Sequence, residues 1–109
     1  MSVTPATYDL TDIQQGADYE VTIQFVGVNL TGCTVASQVW NEEKTTQYAA
    51  FSIAYTNRAS GIVSMSLTDN QTLLLPSTAR YDVLVIDPGG LKTFYIEGAV
   101  YSNKSYTTV

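Results

Sequence analysis

The chain has 109 residues, with 10 acidic and 5 basic side chains, no histidine and a formal charge of −5 at neutral pH; this length predicts one domain. With no imidazole and a single thiol at Cys33, the sequence excludes a His/Cys zinc site, a Ser-His-Asp triad, a Cys-His pair and an intrachain disulfide. The five cations, Lys44, Arg58, Arg80, Lys92 and Lys104, are too few and too scattered to track a phosphate backbone, so no direct nucleic-acid partner is expected.

Charged residues make up 14% of the chain, against roughly 25% in an average soluble domain, and Thr, Ser, Gln and Asn supply the remaining polarity. The apolar fraction of 45% is enough for a core. Met1-Ser2-Val3-Thr4-Pro5 lacks the basic-then-apolar order of a secretory leader, and the longest aliphatic runs, Leu73 to Leu75 and Val83 to Ile86, are too short to span lipid. The expectation is a soluble protein made without secretion, with no membrane partner. Its lone Cys33 reads as a small buried hydrophobe in a reducing compartment.

In chain order, the first strand-like segment is Thr7 to Ile13, closed by Gln15-Gly16. In the second, Tyr19, Val21, Ile23 and Phe25 alternate with Glu20, Thr22 and Gln24, the pattern of a strand with one dry face. Cys33 to Trp40 and Gln47 to Tyr55 follow, then Ile62 to Leu67, where Val63, Met65 and Leu67 share a face. Thr68-Asp69-Asn70-Gln71 reads as a capping box opening a single helical turn that Pro76 halts, so one short helical turn is expected near Thr68 to Leu75. Ala79 to Asp87 and Leu91 to Ser102 flank Asp87-Pro88-Gly89-Gly90, whose turn chemistry predicts a terminal hairpin. Gly98, inside that last segment, marks a bulge or a close backbone approach.

These segments predict an all-β, seven-strand antiparallel sandwich over residues 1–102, followed by a tail or arm at 103–109. The cysteine pair typical of immunoglobulin domains is absent.

Chemical motifs are sparse. Asn29-Leu30-Thr31, Asn70-Gln71-Thr72 and Asn103-Lys104-Ser105 match the glycosylation acceptor pattern, as a chain rich in Thr, Ser and Asn does by chance. The carboxylate pairs Asp9/Asp12, Glu42/Glu43 and Asp82/Asp87 match no calcium-loop spacing and read as solvated charge, so no metal, cofactor or catalytic residue is expected. Trp40 with the eight tyrosines reads as core or protein interface, or as a sugar-stacking platform. The sharpest oddity is Tyr81 to Ile86. Tyr81, Val83 and Val85 fill one face while Leu84 and Ile86 make the other apolar too. That second face lies under a loop, under the helical turn or against another subunit. Phe51, Ile53 and Tyr55 against Tyr48, Ala50 and Ala54 repeat the doubling weakly.

Taken in order, Ile13-Gln14-Gln15-Gly16-Ala17-Asp18-Tyr19, Asn29 to Val35, Gly61 to Thr68, Ala79 to Val83 and Gly89-Gly90 to Gly98 resemble small tailed-phage structural proteins. The nearest family is the N-terminal domain of the phage baseplate upper protein. The resemblance covers residues 8–102 and rests on turn and strand punctuation. It implies an immunoglobulin-like β-sandwich, with Leu30, Gly32, Leu67, Tyr81 and Gly98 defining the fold. It also implies a non-enzymatic module of the virion, made in the host bacterial cytoplasm, that touches other virion proteins or copies of itself. The family domain often precedes a fibre or receptor-binding part, whereas this sequence ends just after the sandwich. That favours a stand-alone capsid cement or decoration protein over a tail or baseplate adaptor. A carbohydrate-binding module for host-surface glycans is the alternative of another class. The residues expected at interfaces are Tyr8, Trp40, Tyr48, Leu84, Ile86, Tyr101 and Tyr106.

Overall fold

A computed structural model describes residues 6–107. The alternation of apolar and polar residues becomes nine strands and one short helix in two sheets. In chain order these are β1 (Ala6–Thr7), β2 (Leu10–Gln14), β3 (Tyr19–Gln24), β4 (Thr34–Trp40), β5 (Gln47–Ala50), β6 (Ser52–Asn57), β7 (Ile62–Leu67), α1 (Asp69–Leu73), β8 (Thr78–Ile86) and β9 (Lys92–Asn103). The larger sheet runs β1-β9-β8-β4-β5, with β2 also on β9, and the smaller runs β3-β7-β6. Their dry faces share one core, in which Leu10, Ile13, Val39, Val83 and Val100 of the larger sheet join Val63 and Met65 of the smaller at 2% exposure or less. The molecule is all-β and sandwich-like, and measures 44 × 29 × 19 Å.

The expected seven strands become nine because two segments each divide. The segment from Gln47 to Tyr55 changes sheets at Phe51: Ala49, Phe51, Ile53 and Tyr55 all turn inward, but β5 pairs with β4 and β6 with β7. A strand that leaves one sheet for the other keeps its dry side toward the core through the corner. The segment from Thr7 to Ile13 breaks at Tyr8 and Asp9, where the backbone crosses Gly98 of β9 so closely that a Cβ there would collide with the Tyr8 carbonyl. Gly98 is thus a close approach. The bulge in β9 lies instead at Tyr95, which has no partner between Ile96, opposite Val83, and Phe94, opposite Leu84. The sheet is also not wholly antiparallel as expected, since both β1 and β2 run parallel to β9.

The capping box forms as the sequence implies, with the Thr68 hydroxyl accepting from the Gln71 amide and the Gln71 side chain accepting from the Thr68 amide. Thr72, fully buried, fixes α1 to the β2–β3 turn by donating to the Ala17 carbonyl at 2.8 Å and accepting from the Gly16 amide at 3.0 Å. Asp87 closes the β8–β9 hairpin, its carboxylate accepting from the amides of Gly89 and Leu91 at 2.9 and 2.8 Å. Arg58 stacks its guanidinium 3.6 Å over the Tyr55 ring and donates to the carbonyls of Cys33 and Leu30, joining the β6–β7 turn to the loop before β4. Among the described residues, no buried side-chain nitrogen or oxygen lacks a hydrogen-bond partner.

Candidate functional site

The outer face of the larger sheet carries the feature that the sequence left open. Along β8 the inward residues Tyr81, Val83 and Val85 are buried, and Arg80, Asp82, Leu84 and Ile86 point the other way. Register across the sheet arranges their neighbours in three rows. Ala36 of β4, Leu84 of β8 and Phe94 of β9 make an apolar row. Gln38, Asp82 and Glu97 make a polar row one pleat away, and Trp40, Arg80 and Ala99 make the third. With the loop after β4, these rows, apart from the buried Ala99, line an open groove of about 360 Å³. Leu84 and Ile86 are half-buried and Phe94 is 44% exposed on this face. Leu84 and Phe94 line the groove, whereas α1 packs against β5 and the β2–β3 turn. The helical turn is therefore not the cover for the second apolar face of β8.

The loop that borders the groove is held by its own side chain. The Asn41 carboxamide oxygen accepts from the amides of Thr45 and Thr46 at 2.8 and 3.0 Å, and its nitrogen donates to the Thr45 hydroxyl at 2.7 Å. This places Lys44, at φ 59°, with its ammonium 5.7 Å over the Trp40 ring. The Trp40 indole donates to Gln38 at 2.8 Å. Trp40 is thus half-buried, with a cation over one ring face and its polar edge already bonded.

Asp82 and Glu97 lie directly opposite each other on neighbouring strands, a like-charge pairing that costs stability. Burial pushes the Asp82 carboxyl above its ordinary value; Lys44 draws it down and Glu97 pushes it up, and the net shift is upward. The structure pairs Asp82 with Glu97, not with Asp87, whose carboxylate is used in the hairpin turn. Asp9 is likewise occupied, accepting from the Ala99 amide at 2.9 Å. Among the described residues, no group of three or more His, Cys, Asp or Glu side chains is placed to hold a metal ion.

The candidate interface residues divide. Trp40 and Leu84 meet in the groove, and Ile86 and Tyr101 lie on the same sheet face beyond its two ends. Tyr48 packs against the core at the edge strand β5. Tyr8 sits at the break between β1 and β2, 52% exposed, and its carbonyl accepts from the Tyr81 hydroxyl. Tyr106, 88% exposed, lies after β9 at the rim of a wide depression that Leu73 also lines. Phe94, Arg80 and Glu97 belong to the groove and were not among the candidates. For Phe94 and Glu97 the signal is the phase of the last strand, which the bulge at Tyr95 interrupts; for Arg80 it is the regular alternation of β8, which sets it on the same face as Leu84.

The geometry defines a sandwich-like all-β protein with one open, partly apolar sheet face. No family model and no curated protein sequence matches the chain. Among the described residues, no helix is long and apolar enough to cross a membrane.

Proposed function

We propose that the chain is a non-enzymatic structural protein of a bacteriophage virion, a capsid cement or decoration protein that works through contacts with neighbouring proteins. The observation that carries this reading is the outer face of the larger sheet, where Leu84, Ile86 and Phe94 form apolar surface that α1 does not cover. Contiguous apolar surface on a sheet face is what an interface uses, and many modest contacts on a symmetric particle add through multivalency.

The resemblance of the turn and strand punctuation to the phage baseplate family supports the virion assignment, with a tail or baseplate adaptor as the other placement. An immunoglobulin-like topology is supported by the strand orders β9-β8-β4-β5 and β3-β7-β6. These correspond to a G-F-C sheet extended by one strand, and to B-E-D. The glycan-binding alternative is disfavoured by Trp40, whose ring carries Lys44 over one face and whose N–H is bonded to Gln38.

The deciding measurement is quantitative mass spectrometry of purified particles. A copy number matching the shell supports the cement reading, and one matching a tail ring supports the adaptor. Absence from the particle overturns both. A glycan array that shows binding abolished by Trp40→Ala, with the fold intact, would replace them.

A further inference from the structure

We propose that the outer face of the larger sheet is a self-association surface for a second copy of this chain, packed face to face about a two-fold axis that crosses the strands at the level of Tyr81 and Gly98. This rests on the contact-module reading above and names the surface and the partner.

The argument is one of register. A two-fold axis lying across the strands keeps each strand opposite its own copy and inverts the order of rows along it. Placed between the rows of Arg80 and Asp82, it sets Asp82 against Arg80 of the other copy, and the reverse. The same operation sets Phe94, opposite Leu84, against Tyr101, opposite Thr78, because both rows lie three β8 residues from the axis. These are the two exposed aromatic residues of β9, at 44% and 43%. An axis parallel to the strands and running between β8 and β9 would instead set Asp82 against Glu97 of the other copy, and is disfavoured by repulsion. One symmetry operation therefore relieves the unfavourable Asp82–Glu97 pairing and covers both aromatic rings.

The patch bounded by these rows spans roughly 15 by 20 Å of sheet, from strand spacing and rise per residue. That is well below the roughly 800 Å² per partner of a standard stable interface, so association is weak in isolation, micromolar to millimolar, and rises by multivalency on a particle.

The test is sedimentation equilibrium of the purified full chain up to about 1 mM. The wild type forms a reversible dimer that added salt weakens. Arg80→Glu alone, and Asp82→Lys with Glu97→Lys, each lose association by about tenfold or more. An equimolar mixture of the two recovers it, because only the mixed dimer restores opposite charges. Phe94→Ser weakens association without touching the charges, and so provides the reading if a charge variant does not fold. A wild type that stays monomeric overturns the proposal, as does a dimer indifferent to these changes or a mixture that fails to recover. A monomer that is nevertheless present in particles sinks this surface and leaves the virion reading standing. A charge-dependent dimer absent from particles does the opposite.

Discussion

Gly61 shows how much one missing carbon can decide. Its φ is +74°, and a Cβ there would lie 2.5 Å from the Phe25 carbonyl oxygen and 2.6 Å from that of Val28. Both atoms belong to backbone, and the Gly61 carbonyl accepts from the Phe25 amide at 2.8 Å, so neither side can yield cheaply. Gly61→Ala is expected to cost about 2 kcal/mol or more in urea unfolding, from left-handed strain and from overlap. Asp82 makes the opposite case. Its carboxyl is raised in the folded chain, so the fold favours the protonated form, and ionisation at neutral pH subtracts stability. Asp82→Asn is therefore expected to stabilise the monomer at pH 7 slightly, by about a few tenths of a kcal/mol because solvent screens this exposed pair, a gain that disappears as acid protonates the wild-type residue. On the proposed self-association surface, Arg80 of the second copy would offset this cost. Composition alone could not show this, because Asp82 and Glu97 are 15 residues apart in sequence and meet only through the β8–β9 register.

At the scale of the elements, local chemistry was legible wherever it was sufficient by itself. Thr68 and Gln71 cap α1, and Asp87 to Gly90 turn the hairpin, because each motif closes its hydrogen bonds within a few residues. What stayed hidden was settled by distant partners. Phe51 turns a corner because β5 and β6 find different sheets, and Gly98 is dictated by Tyr8, 90 residues away in sequence. The tyrosine at the bulge in β9 shifts the alternation by one residue, which concealed that Phe94 faces outward with Leu84. Thr72 tests the reach of α1 beyond its own turn. Thr72→Val keeps the shape but leaves the Ala17 carbonyl and the Gly16 amide without their partner. The expected loss is about 1–3 kcal/mol, with hydrogen exchange accelerated first in α1 and the β2–β3 turn.

For the molecule as a whole, the tyrosines set the alkaline limit. Burial, with Tyr8 and Asp12 nearby, pushes Tyr19 up to about 12, and burial also raises Tyr81, whose hydroxyl is spent on the Tyr8 carbonyl. Because the folded chain holds these protons more tightly than the unfolded chain, they contribute no slope below the ordinary tyrosine value of 10. Above it the unfolded state ionises first and stability falls steadily towards pH 12. Thermal melts across this range should show a plateau and then a decline, and Tyr19→Phe should flatten part of the decline. A melt that drops equally at pH 8 and pH 11 would refute this account.

The parallel course of β1 and β2 along β9 bears on how the domain carries load. Leu10 lies beside Val100 and Gln14 beside Asn103, so the two strands point the same way at opposite ends of the sequence. Tension applied between Ala6 and Asn103 pulls them past each other lengthwise. Every rung of that ladder is then strained together, where an antiparallel pair pulled from one end would open bond by bond. Rupture requires several hydrogen bonds and the buried side chains of Leu10, Ile13 and Val100 to fail at once. A domain joined this way resists stretching along its length far better than its modest size suggests.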